Sequence, residues 1–479
     1  MVIAPLIVLS LNKTIVEENN LLVVKGIPWV DPIIAFDQFS REPRSFLLHG
    51  NGKENFSQWS YIAQSPFASV EVDSELRTFV NGIRSNDDPF SIIRSICTTN
   101  YNKIKKSPVP FYGGAVGFIG YEANQLIEVV PKPKGPDSNP LLCVGFYDLI
   151  IAFDRNNKKT FLVASGLPET SLVERFDYAT KRIDYFYQKI NKVIPRGIKT
   201  YIGTWKPEVS RQSAQNKIRE AIDYIYSGDI FQVNITHKFK SPRPPDLDAW
   251  ELFRKLRATN PSPFGAYLSI NKNFKILSCS PERFIKLDSN KNVETRPIKG
   301  SQRRDIDREK DAILANQLLK SGKNFSENLM IVDLMRNDLS KVCEVGSIKV
   351  DDLCKLESFE KIHHLVSVIT GKLRKDKDAV HLLKLCFPGG SVTGAPKIRA
   401  MEIINELETS SRGPYCGSIF WMGFDDQFDS SITIRSIVVS EDEIIAQAGG
   451  AIVAESDPYE EYEEALFKAS PLLNILEER

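Results

Sequence analysis

The sequence lacks most of the features that assign a protein quickly. Its 479 residues carry 62 Lys and Arg against 61 Asp and Glu, a net charge of +1. No global field therefore recruits nucleic acid or a membrane surface, and any anionic ligand must be held by local groups. The seven cysteines form no Cys-x-x-Cys pair and lie scattered between Cys97 and Cys416. That spacing argues against a disulfide framework and for reduced, mostly packed thiols in the cytoplasm. The His363-His364 pair has no cysteine or carboxylate at zinc-ligand spacing. No apolar run is long enough to cross a bilayer. The apolar stretch 1–9 lacks a basic leader and a small-residue cleavage site, and it reads as a strand. There is no repeat of solenoid period and no low-complexity tail. The glycines of Gly113-Gly114-Ala115-Val116-Gly117 have neither a P-loop lysine nor dinucleotide-fingerprint spacing, so they mark close backbone packing rather than a nucleotide loop.

What is present is a large, ordinary globular composition. The length exceeds the usual single domain, so two lobes are expected, 1–195 and 211–479, joined by a linker at 196–210. Short apolar runs such as Ser45-Phe46-Leu47-Leu48 and Leu149-Ile150-Ile151-Ala152-Phe153 read as strands. A helix is predicted from Leu172 to Val193, with Phe176, Ile183 and Phe186 on one side. A second runs from Ser210 to Ser227, with Ile218, Ile222 and Ile225 inward and Gly228 ending it. A strand from Ile230 to Thr236 follows. Periodicity alone yields only mixed α and β.

Several segments could carry chemistry. In Glu294-Thr295-Arg296-Pro297-Ile298-Lys299-Gly300-Ser301, Pro297 biases Arg296 to an extended conformation and Gly300 permits a close approach. Lys299 is then expected at the tip of a strand. A neutral, nucleophilic lysine needs burial or a nearby cation, which Arg296 could supply. Glu282, a short hairpin away, is the candidate acid. Asn324 can cap a helix with Glu327 at capping-box spacing, and Glu327, Ile331 and Leu334 share one helical face. Ser456 or Asp457 caps the last helix, with Pro458 in its first turn. Glu461, Glu464 and Lys468 then share one face, and two carboxylates a turn apart suit Mg²⁺. Two glycine-rich segments could bind an anion: the one from Pro388 to Lys397, which runs into a helix, and Ala448-Gly449-Gly450-Ala451, expected at the end of the strand Ile444 to Ala446. Arg435 could clamp a carboxylate. Taken singly, each feature is an ordinary cap, turn or surface charge.

Their order in the chain is specific. Ser280-Pro281-Glu282, Arg296-Pro297-Ile298-Lys299-Gly300, Glu327 with Asp333-Leu334-Met335-Arg336-Asn337-Asp338, His363-His364-Leu365-Val366-Ser367, Gly394-Ala395-Pro396-Lys397 and Glu461-Tyr462-Glu463-Glu464 together resemble the chorismate-binding enzymes. That family includes anthranilate synthase component I and the isochorismate and salicylate synthases. The strong resemblance covers 210–470, and a weaker one covers most of 1–150. It implies an α+β fold, a large sandwich of two packed antiparallel sheets with outer helices, like anthranilate synthase component I. Lys299 points to the branch that aminates chorismate at C4, because anthranilate synthases usually lack a lysine there. Gln232 argues against isochorismate synthases, which carry a lysine base at that position.

The resemblance also implies roles. Mg²⁺ would be held by Glu327 and Glu464, with Glu461 acting through water. Arg435, Lys468, Tyr415 and the Gly449-Gly450 backbone would position the substrate, with His364 and Ser391 lining the pocket. Lys299 would attack C2 while Glu282 protonates the departing C4 hydroxyl, and ammonia would then replace the lysine. No glutaminase nucleophile elbow is found, so ammonia would come from a separate glutamine amidotransferase subunit. The alternatives are anthranilate synthesis and, in another class, a non-catalytic chorismate-binding regulatory subunit. Three departures stand out. Ser301 replaces a usual threonine and Asn324 a usual acid. Leu47-Leu48-His49-Gly50 replaces the Leu-Leu-Glu-Ser typical of tryptophan-inhibited relatives, so a bound tryptophan is not expected.

Overall fold

A computed structural model describes residues 12–17, 20–50, 58–135, 139–192, 197, 199–359 and 361–477. The strand expected at 1–9 and part of the linker lie outside the described residues.

The fold is built from continuously apolar strands buried on both faces. In Leu149–Asp154, Leu149, Ile151 and Phe153 join a core shared with helices, while Ile150 and Ala152 join a core shared with the opposing sheet. Period-two geometry thus divides one apolar run between two cores, which is why no polar alternation shows in it. Among the described residues two large antiparallel sheets result, of 13 and 12 strands. They pack face to face through aromatic contacts such as Phe46 against Tyr147, with ring centroids 5.0 Å apart. Helices cover both outer faces. Leu172–Ile190 lays Ile183 and Phe186 against the first sheet, and Gly322–Ser340 lays Ile331 and Met335 against the second. Burying both faces of both sheets gives the α+β sandwich that the resemblance implies.

The two segments expected to be separate lobes are interleaved. Ser45–His49 pairs with Phe264–Ser269 in the first sheet, and Gly114–Ile119 pairs with Ser418–Gly423 in the second. Each sheet is continuous across the proposed linker, so the division at 196–210 is one of sequence and not of space. At Gly117 a Cβ would collide with the Cys143 carbonyl oxygen of the next strand, the close packing read from the glycine spacing. All seven cysteines are free thiols, and Cys97 and Cys354 alone are not fully buried. Among the described residues no helix is long and apolar enough to cross a membrane.

Local readings shift in instructive ways. Phe176 is 42 % exposed, because Ala179, Ile183, Phe186 and Ile190 form the buried stripe of its helix. The helix Arg211–Tyr226 is capped by Ser210, the residue at which it was expected to begin, and buries Ile218. The strand after it runs Gln232–Pro242, longer than its apolar core suggested, because its second half is an alternating, half-buried sheet member.

Candidate active site

A cavity of about 440 Å³ lies where the strand Ile298–Arg303, the helices Gly322–Ser340 and Pro458–Leu473, and the strand Glu443–Ile452 converge. Every residue singled out above for catalysis, substrate or metal lines it: Glu282, Lys299, Glu327, His364, Ser391, Tyr415, Arg435, Gly449, Gly450, Glu461, Glu464 and Lys468.

Lys299 does not sit at a strand tip. It lies inside Ile298–Arg303, which pairs with Ile362–Lys372 in a broken register: Ile298 faces Val366, but Ser301 faces His364. One extra residue is looped out, and Gly300 takes φ +90° to allow it. A bulge of this kind re-aims a side chain, and here it delivers the Lys299 amine to the cavity, 3.1 Å from the Ser391 carbonyl oxygen. Burial lowers the Lys299 pKa, and Lys468 adds to the effect, against the pull of Glu327, Glu282 and Glu464. Arg296, the cation expected to do this, is instead paired with Glu357. Arg296 is not among the residues lining the cavity, and the depressing charge comes from Lys468 on the last helix.

Glu282 is fixed by its own backbone. Its N–H donates to Ser280 Oγ (3.2 Å), and its carbonyl accepts from Ile432 N (3.1 Å). Glu282 as a whole is 5 % exposed. Burial pushes it up to about 7, and hydrogen bonding from Ser391, the charge of Lys299 and the Ile298 N–H only partly restrain the rise. A carboxylic acid that keeps its proton near neutral pH can donate it.

The helix carrying Glu327 begins three residues earlier than expected. Ser321, not Asn324, accepts the capping N–H, and that N–H belongs to Asn324 itself. Glu327 therefore lies one turn inside the helix and is no capping-box partner. It is buried and points inward with Ile331. Burial raises its pKa, and the nearby Glu461 and Glu464 add to that against Lys299 and Lys323. In the last helix Asp457 is the cap and Pro458 the first residue. Glu461 accepts from Lys323 Nζ (2.9 Å) and Ser456 Oγ (2.7 Å). Glu464 pairs with Lys468 at 2.6 Å, and that lysine holds its carboxyl below the usual range.

Gly449 and Gly450 are not a terminal turn. They lie within the strand Glu443–Ile452, opposite Thr236 and Ile235. Their role is spatial. A Cβ on Gly450 would sit 3.4 Å from Glu461 Oε2, 3.7 Å from Lys468 Nζ and 4.0 Å from Glu464 Oε1. The missing side chain leaves the floor beneath two carboxylates and an ammonium open. His364 is held at 2.7 Å by Ser301 Oγ, and burial together with Arg435 lowers its pKa to about 3, so the imidazole is neutral. Arg435 donates to the Lys468 carbonyl at 2.5 Å. Burial keeps Tyr415 a neutral phenol. Ser391 sits in a short 3₁₀ turn, Gly390–Val392, and the following helix starts after Pro396.

Two residues that sequence reasoning passed over belong to the site. Lys323 is four residues before Glu327, a same-face spacing that could have revealed it. Arg412 is buried beneath the cavity floor. It donates to Glu408 at 2.9 and 2.7 Å, to Val392 O at 2.8 Å and to Asn234 O at 2.6 Å. Nothing in the sequence around Ser411-Arg412-Gly413 announces that role.

Among the described residues no three His, Cys, Asp or Glu side chains close around a common point as a ready metal cage. The donor set is nonetheless all-carboxylate, on two helices, around the space that Gly450 leaves open. That suits a hard cation held by one or two carboxylates together with an anionic substrate.

The family of chorismate binding enzymes matches residues 44–474. The chain is 36 % identical to aminodeoxychorismate synthase component 1 of Klebsiella aerogenes, over 94 % of this chain and 98 % of that one. It is 32 % identical to anthranilate synthase component 1 of Acetivibrio thermocellus, over 97 % of each. The crystal structure of anthranilate synthase component I from Streptococcus pneumoniae TIGR4 superposes with a TM-score of 0.78 at 29 % identity, covering 87 % of this chain and 92 % of that one.

Proposed function

Given that the chain belongs to the family of chorismate-binding enzymes, we propose that it aminates chorismate at C4, giving 4-amino-4-deoxychorismate for 4-aminobenzoate and folate synthesis. The observation that carries this is the bulge that aims the Lys299 amine into a cavity shared with Glu282, whose pKa burial pushes up to about 7. Lys299 Nζ forms a bond to C2 while both ring double bonds shift, C1=C2 to C1=C6 and C5=C6 to C4=C5, and the C4–O bond breaks, with Glu282 delivering its proton to the departing hydroxyl. Ammonia then adds at C4, both double bonds shift back, and the lysine leaves with its electron pair. The lowered pKa of Lys299 supports the first step, because only the neutral amine attacks.

Arg435, Lys468 and Tyr415 hold the carboxylates and the enolpyruvyl arm, and neutral His364 and Ser391 line the ring. Glu327, Glu461 and Glu464 would hold Mg²⁺, which when bound withdraws electron density from the ring carboxylate. The names of the relatives, component 1, support a partner that completes the enzyme. We take it to be a glutamine amidotransferase that supplies ammonia, with both proteins in the cytoplasm.

The test is product identification by mass spectrometry after incubation with chorismate, Mg²⁺ and an ammonium salt. Aminodeoxychorismate, converted to 4-aminobenzoate only when a lyase is added, supports the reading. Fluorescent 2-aminobenzoate would replace it with anthranilate synthesis.

A further inference from the structure

A second cavity, of about 760 Å³, lies beside the catalytic one. Arg303, His364, Arg435 and Phe467 line both. The charges around it are one-sided. Lys255, Arg303, Arg304, Lys361 and Arg435 line it, against the single carboxylate of Asp305. The chain as a whole is balanced to within one charge, so this is a local concentration.

Four of those cations have no counter-charge among the described residues. Arg304 is neutralised by Asp311 at 2.8 Å. Lys255, Arg303, Lys361 and Arg435, by contrast, form no ion pair among the described residues, and Arg435 donates only to the Lys468 carbonyl. Lys361 donates to the Thr259 carbonyl at 3.1 Å. Arg303 lies over the Phe467 ring, with its guanidinium carbon 4.4 Å from the centroid. Unpaired like charges around one concavity repel one another, and an arrangement of this kind is stabilised by an anion that visits it. A low-dielectric concave wall also focuses the field of such charges and raises the local concentration of counter-ions. The catalytic cavity itself is shielded from this role, because Lys323 and Lys468 are already paired with Glu461 and Glu464.

We infer that this chamber is an outer binding site for small dicarboxylate dianions, where chorismate is captured before it crosses the shared wall at Arg303 into the catalytic cavity. The inference rests on the reading of chorismate as substrate. Capture of a dianion by several cations is a long-range effect that acts on association, so it governs kcat/KM and not the chemical step. It weakens as added salt shortens the screening length to about 8–10 Å.

The test uses the full chain carrying Lys255→Glu and Lys361→Glu, both outside the catalytic cavity. At low ionic strength kcat/KM for chorismate is expected to fall at least about tenfold, with kcat within about twofold. The salt dependence of kcat/KM seen in the unaltered chain should flatten. An unchanged kcat/KM at low ionic strength, in a variant whose thermal midpoint is preserved, overturns the proposal, as does a loss confined to kcat. Calorimetric titration with chorismate, without ammonia, separates the two readings. Chorismate that binds neither protein overturns the substrate reading and the chamber with it. Weaker binding to the double variant sustains the chamber whatever the product proves to be, and equal binding with an unchanged association rate sinks it alone.

Discussion

Two buried clusters of charge lie close together and are built on opposite plans. Under the cavity floor, Arg412 meets a full set of partners. Glu408 takes its guanidinium in two hydrogen bonds, two backbone carbonyls take the rest, and Tyr121 covers its face with the ring centroid 4.4 Å away. The adjacent N–H groups of Arg412 and Gly413 donate to Glu122. In the cavity itself Glu282, Glu327 and Lys299 have no ion-pair partner among the described residues. Burial drives Glu282 and Glu327 toward the neutral acid and Lys299 toward the neutral amine. A satisfied buried pair fixes structure, whereas frustrated groups have pKa values displaced toward chemical use. The first cluster supports the second, because the Val392 and Asn234 carbonyls that Arg412 holds belong to residues lining the cavity.

Substitutions that swap these roles test the contrast. Lys299→Ala should remove aminodeoxychorismate formation by three or more orders of magnitude, about the value of a lost nucleophile with its acid partner. Thermal stability should hardly change, and undiminished turnover would rule out a covalent lysine. Arg412→Ala should act on the other side of the comparison. Leaving Glu408 buried and unpaired is expected to cost about 3–5 kcal/mol in denaturant unfolding, and a value below 1 kcal/mol would dissolve the distinction drawn here.

Glu282→Gln should separate activity from stability. Turnover is expected to fall about 10²–10⁴-fold. The carboxyl has an ordinary pKa of 4.5 and about 7 in the folded chain. Between those values the native state holds the extra proton, so its stability falls as pH rises and the penalty persists above 7. The amide should therefore stabilise the fold at pH 8, by at most roughly 3 kcal/mol, and leave it unchanged near pH 4. A thermal midpoint that rises equally at both pH values would assign the gain to packing. For the unaltered chain, kcat/KM for chorismate at fixed free ammonia should decline about tenfold per pH unit on the alkaline side of about 7, as the acid is lost. The smallest effect is expected at Arg296→Ala. Its pair with Glu357 is worth on the order of 1 kcal/mol, and if Lys468 is the cation that tunes Lys299, the pH profile of turnover should not move.

The site was legible in the sequence wherever chemistry is written as residue type in a fixed order. Lys299, Glu282, Glu327 and the Glu461–Glu464–Lys468 face were readable because acids, a lysine and a helix cap at set spacings do not need the fold to be recognised together. What was misread were the features that depend on neighbours in space. The Lys299 strand tip is a bulge, which exists only because the partner strand is one residue short there. The Gly449-Gly450 turn is mid-strand, because the ladder to Gln232–Pro242 extends further than the apolar run. Asn324 yielded the cap to Ser321, which a local scan could not rank above it.

The sequence by itself determined a mixture of α and β, and its ordered motifs, through the family resemblance, implied the two packed sheets. It also determined the chemical repertoire of the cavity. Only the tertiary structure decided that 1–195 and 211–479 share both sheets, that Lys468 and not Arg296 tunes the lysine, and that a guanidinium far along the chain props the floor. Each of these is a long-range pairing or a shared electrostatic field, and neither leaves a local pattern in the residues that take part.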